Sequence, residues 1–129
     1  MAPDFESLAR NHGIRLLLQF GSTVSGLSQA HSDVDVGALL DRVPATLHEH
    51  AELAADLQRC FPDRELDLAI INRADPLFLK QIVDGGRLLY GSPRALAELK
   101  LYAFKRYQDH RRFLAMERDH VKREIAAAR

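Results

Sequence analysis

The sequence predicts an α/β (α+β) fold: a small mixed sheet flanked by helices, with a long helix at the C-terminal end. Three observations carry that expectation. Short apolar runs stopped by glycine, proline or charge occur at 14–20, 34–40 and 65–71, which is the length of strands rather than of self-sufficient helices. The stretches between and after them place apolar residues at helical spacing. The chain's 129 residues, 47% of them hydrophobic, suffice for one domain with a real core and exclude a two-domain enzyme. The expected organisation is a single domain with its core in 1–92 and a helical extension in 93–129.

The first run, Ile14-Arg15-Leu16-Leu17-Leu18-Gln19-Phe20, ends at Gly21 and reads as a buried strand. The second, Val34 to Leu40, contains Asp35 and stops at Asp41-Arg42-Val43-Pro44. Between the second and third runs, 45–59 reads as an amphipathic helix with Leu47, Ala51, Ala54 and Leu57 or Ala55 on its apolar face. Thr46 is its expected N-cap, with Glu49 three residues on. Asp75-Pro76 opens another helix through Leu79, Ile82 and Val83, which Gly85-Gly86 closes. Arg87-Leu88-Leu89-Tyr90 is expected as a short edge strand. From Ser92-Pro93 to about residue 127 no breaker intervenes. Leu96, Leu99, Ala103, Tyr107, Phe113, Val121 and Ile125 recur there at helical intervals.

Eighteen basic residues balance eighteen acidic ones, so no global field draws the chain to nucleic acid, and direct nucleic-acid binding is not expected. The balance conceals an asymmetry. Residues 1–92 hold 8 basic and 13 acidic side chains, a charge of −5, whereas 93–129 hold 10 basic and 5 acidic, a charge of +5. The single cysteine, Cys60, excludes an internal disulfide and a cysteine-cluster zinc site. No apolar run approaches the ~20 residues of a membrane helix, and the first residues have no secretory signal pattern. The expectation is a soluble, cytoplasmic protein with no membrane contact.

Three aspartates occupy positions that core strands do not favour. If Asp33-Val34-Asp35 begins a strand, both carboxylates face one side, about 7 Å apart along the chain, while Val34 and Val36 face the core. Asp67 lies within Leu66-Asp67-Leu68-Ala69-Ile70-Ile71, where an ionised carboxylate costs several kcal/mol unless it is compensated. Hard cations such as Mg²⁺ take oxygen ligands, and three convergent aspartates suit one or two of them. Upstream, Gly21-Ser22 leaves the first strand, and a short helical turn is expected from about Thr23 to Gly26. Glycine lets the backbone approach an anion, and the following N–H groups point outward, so this turn is a phosphate cradle. It is neither a Walker loop nor a dinucleotide-binding fingerprint. His31, His110 and His120 have no partners at ligand spacing and are expected at the surface.

Gly-Ser, ten residues, Asp-x-Asp and a third aspartate on a later strand resemble the signature of the DNA polymerase β-like nucleotidyltransferase superfamily. FGSTVSGLSQAHSDVDVGALL is in register with it throughout. ELDLAIINRADPLFLKQIVDGGRLLYG is similar to the segment in which minimal nucleotidyltransferases carry the third aspartate, a helix and a Gly-Arg-Leu-Leu-Tyr strand. Members with such a C-terminal helix are typically MntA-like antitoxins, encoded beside a HEPN ribonuclease toxin of the HepT type. The resemblance implies a polymerase β-like fold and a Mg²⁺-dependent adenylyltransferase that moves AMP from ATP onto a tyrosine of the HEPN toxin. Gly21 and Ser22 would bind the nucleotide, and Asp33, Asp35 and Asp67 would be catalytic and hold Mg²⁺. Two alternatives are an antitoxin that acts by docking alone and a small-molecule nucleotidyltransferase. Many relatives have arginine in the turn after Gly-Ser, where this chain has Thr23-Val24-Ser25.

Overall fold

Each α-helix among the described residues begins at a residue chemically suited to begin it. The computed structural model describes residues 4–21 and 33–128. Asp4 accepts a hydrogen bond from the Ser7 N–H at 2.7 Å and starts α1, Phe5–His12, which Gly13 closes. The sequence reading did not identify this helix. Thr46 caps α2, Leu47–Gln58, by accepting from the Glu49 N–H at 3.1 Å, and the Glu49 carboxylate reaches back to the Ala45 N–H at 2.8 Å. Asp75 accepts from the Phe78 N–H at 2.8 Å to start α3, Pro76–Asp84, and Ser92 accepts from the Ala95 N–H at 3.0 Å to start α4, Pro93–Ala127. Pro76 and Pro93 follow those caps, where a missing N–H costs nothing.

The strands are β1, Ile14–Phe20, β2, Val34–Leu40, β3, Leu66–Ile70, and β4, Arg87–Tyr90. They lie in the order β3-β2-β1-β4. β1 runs antiparallel to both β2 and β4, and β2 runs parallel to β3, so the sheet is mixed, as expected. A 3-10 turn, Ile71–Arg73, follows β3. β1 has helices over both faces, which explains its unbroken Leu16-Leu17-Leu18: Leu17 points to one core and its two neighbours to the other. The first core joins α1 and α2 to the sheet through Leu8, Leu17, Val34, Val36, Leu53 and Leu57. The second joins α3 and the start of α4 through Leu16, Leu18, Leu79, Ile82, Leu99 and Ala103.

Two expectations about helix faces change. α2 buries Leu53 and Leu57, not Leu47 and Ala51, and Leu47 is 84% exposed. At about 100° per residue, Leu47 lies roughly 120° around the helix from Leu53, so counting apolar residues mistook the outer face for part of the seam. In α4 the periodic stripe is continuous, yet only its first part is covered. Leu99 and Ala103 are buried and Leu96 and Tyr107 partly so, whereas Phe113, Val121 and Ile125 are exposed. Among the described residues no helix is long and apolar enough to cross a membrane.

Candidate active site

The sheet register brings the motif aspartates together. Phe20, the last residue of β1, pairs with Asp35 near the start of β2, and Asp35 pairs in turn with Asp67 on β3. Adjacent paired residues project to the same face, so Asp35 and Asp67 stand side by side, with Asp33 just before the strand. Asp35 is partly buried, and its carboxyl titrates above the ordinary aspartate range. Burial is the main cause, followed by the negative charges of Asp67 and Asp33 and a hydrogen bond with Asp67. Asp33, two residues away, and Asp67, distant in sequence, therefore both act on Asp35.

Gly21 has φ +81, and a side chain there would collide with the Asp35 carboxylate. The residue thus does more than free the backbone for an anion. It leaves Asp35 the room in which its carboxylate lies. Ser22, the expected turn from Thr23 to Gly26, and His31 lie outside the described residues.

Asp67 is not the buried charge that its apolar neighbours led one to expect. β3 is an edge strand and Asp67 is exposed, so water compensates its charge. Its pairing with Asp35 singles it out instead. Asp33 is also exposed and precedes β2 rather than lying within it. Among the described residues no three His, Cys, Asp or Glu side chains form a ready-made metal cage. The donor set at this corner is nonetheless all carboxylate, which suits a hard cation that keeps water and substrate phosphates in its shell.

Two side-chain amides hold β3 in place. Gln58, at the end of α2, donates to the carbonyls of Phe61 (2.9 Å) and Arg64 (2.6 Å) and accepts from the Leu66 N–H (2.8 Å). The loop between α2 and β3 is thereby folded around one side chain, and the Glu65 backbone carbonyl then accepts from the Val34 N–H to begin the parallel ladder. At the other end of β3, Asn72 accepts from the Leu40 N–H (2.9 Å) and donates to the Leu40 carbonyl (2.8 Å), imitating one more strand residue. Sequence reasoning passed over both, because an isolated Gln or Asn carries no local pattern.

Beside the carboxylates opens a cleft of about 330 Å³ lined by Phe20, Asp35, Asp67, Leu68, Ala69 and Phe78. Phe20 and Phe78 meet edge to face, with centroids 5.7 Å apart and rings at 74°. A larger cleft, about 390 Å³, lies where β2 ends at Leu40 and Asp41, and holds none of the motif residues.

The sequence profile of polymerase β nucleotidyltransferases matches residues 5–95, the region containing the four described strands and the three aspartates. The chain belongs to this nucleotidyltransferase family. Among solved structures, a chain of a toxin–antitoxin complex with AMP-PNP superposes with TM-score 0.71 at 24% identity, over 94% of each chain. A chain of the MntA–HepT toxin–antitoxin complex gives TM-score 0.64 at 22% identity, over 94% of this chain and 92% of that one. The same values hold for a chain of a tri-AMPylated Shewanella oneidensis HEPN toxin in complex with its MNT antitoxin. At these identities the likeness is one of fold, and it extends the nucleotidyltransferase match along α4. Comparison with curated proteins gives no significant match.

Proposed function

We propose that this nucleotidyltransferase is an antitoxin that transfers AMP from ATP to a tyrosine hydroxyl of a cognate HEPN ribonuclease toxin in the cytoplasm, neutralising it. The observation that carries the reading is the register Phe20–Asp35–Asp67, which sets two carboxylates side by side next to Gly21. Structural likeness to chains of toxin–antitoxin complexes, one holding AMP-PNP and one an AMPylated toxin, supports the partner and the nucleotide.

In this reading Asp33, Asp35 and Asp67 would hold one or two Mg²⁺ ions, which would supply charge neutralisation at the phosphates and a lowered acceptor pKa, and Gly21 with Ser22 would hold the triphosphate. Asp67, exposed on the edge strand, orients that hydroxyl by accepting its hydrogen bond. The acceptor oxygen forms a bond to the α-phosphorus as the bond to the bridging oxygen breaks in line. The electron pair leaves with pyrophosphate, and the acceptor's proton passes to Asp67 and then to solvent. Asp35, held between Gly21 and Asp67, fixes the distance between nucleotide and acceptor sides.

The test is to incubate the chain with ATP, Mg²⁺ and the HEPN protein encoded beside it, and then to weigh that protein. An increase in steps of one AMP is expected, and an unchanged mass overturns the reading. Thr23-Val24-Ser25, in place of the arginine many relatives carry, favours a second reading in which docking alone silences the toxin. Under that reading Asp35→Asn neutralises the toxin as well as the parent does.

A further inference from the structure

The cleft beside Asp35 and Asp67 has a divided character. Phe20 and Phe78 wall it with aromatic surface, Leu68 and Ala69 add aliphatic lining, and the two carboxylates are its polar groups among the described residues. Its walls carry no cationic or hydrogen-bond-donating side chain among the described residues, so away from the carboxylates the cleft has nothing with which to grip phosphate oxygens. A nucleobase is separated from its α-phosphorus by the ribose, and a base seated here would take the place beside the carboxylates that the reacting atoms need. A neutral ring bearing a hydroxyl meets both demands, because the ring packs against the phenylalanines and the O–H donates to a carboxylate.

We propose that Phe20 and Phe78 form the acceptor subsite, a slot that takes a phenol side chain of the partner and presents its oxygen to Asp67. The inference rests on the function proposed above and adds what selects the acceptor. A serine or threonine hydroxyl reaches the same carboxylates without filling the aromatic slot, so the slot favours tyrosine. Phe78 is the better residue to vary. Its backbone N–H, not its ring, bonds the Asp75 cap, so a side-chain change leaves the start of α3 intact.

The experiment measures AMP transfer to the co-encoded HEPN protein at increasing acceptor concentration for the parent, Phe78→Ala and Phe78→Leu. Affinity for α,β-methylene-ATP with Mg²⁺ is measured alongside. The expected result is an acceptor KM raised at least tenfold in Phe78→Ala and several-fold in Phe78→Leu, with analogue affinity within twofold of the parent. If Phe78→Ala does not fold, Phe78→Leu, which keeps apolar bulk but no ring, decides alone. A fall in analogue affinity with acceptor KM unchanged assigns the slot to the nucleobase and overturns the proposal. Unchanged values of both overturn it too. A parent that transfers nothing overturns the proposed function itself, and that outcome is read in the control before any variant is compared.

Discussion

Asp35 stands where a carboxylate costs the fold stability, and that cost is measurable apart from catalysis. Its folded-state pKa is raised by burial and by Asp67 and Asp33, so the folded protein favours the protonated form. The penalty is absent at acid pH, where Asp35 is neutral in both states, and appears as pH rises through the window from the ordinary aspartate value towards the raised one. In metal-free buffer, Asp35→Asn should therefore melt above the parent at neutral pH, with the gap closing as pH falls towards 4; melts between pH 4 and 8 check this. The same variant should lose Mg²⁺-dependent ATP affinity, and equal affinity in parent and variant contradicts the proposed role. Asp67→Asn should instead abolish transfer, by about a hundredfold or more, while sparing most nucleotide affinity, a separation read by comparing rate at saturation with binding. Gly21→Ala adds a methyl group against the Asp35 carboxylate at a positive φ. A loss of about 1–3 kcal/mol in denaturant melts, together with lost nucleotide binding, is its expected signature. The identities of these residues were legible in the sequence because their spacing is. Their burial was not: that Asp67 is exposed depends on β3 being an edge, and strand order leaves no mark within a seven-residue run.

At the scale of elements, caps were more readable than faces. Thr46, Asp75-Pro76 and Ser92-Pro93 are local signals, and each starts a helix where the sequence placed it. Asp4 and Gly13 bracket α1 with the same chemistry, but α1 has only 8 residues, too few for a periodic pattern to be noticed. The face of α2 depends on which side meets the sheet, and its three alanines were insufficient to orient it. Gln58 acts at this scale as well, because its amide supplies hydrogen bonds to three backbone groups of the segment leading into β3. Replacing it with methionine, similar in length but without those donors and that acceptor, leaves partners unsatisfied at about 1–3 kcal/mol each where they are shielded from water. Gln58→Met should accordingly lower stability in urea melts, and it should increase hydrogen exchange at Leu66 before the central strand β1 is affected.

The molecule as a whole is a sheet with helices on both faces and one helix too long for it. α4 has 35 residues, about 50 Å at 1.5 Å per residue, and its described contacts with the rest of the chain end near Tyr107. Arg106 donates to the Ala74 carbonyl at 3.2 Å, and Lys80 lies over the Tyr107 ring at 5.1 Å. From residue 111 onward every described side chain is exposed, including Phe113, Leu114, Met116, Val121 and Ile125. Leu114, Val121 and Ile125 continue the helical face that Leu96, Leu99, Ala103 and Tyr107 bury against the body. The same stripe therefore serves folding in its first half and is unused by folding in its second. Removing residues 111–129 should leave the melting temperature within a few degrees of the parent, since no core residue is lost. In the proposed antitoxin the distal stripe is free to meet the HEPN partner, so the truncated chain should bind that partner at least tenfold more weakly. Calorimetry on the two chains separates the consequences. Unchanged partner affinity removes the distal helix from the interface, a collapse in stability shows that it belongs to the fold, and an interaction that instead follows nucleic acid with steep salt dependence identifies the +5 charge of 93–129 as its cause.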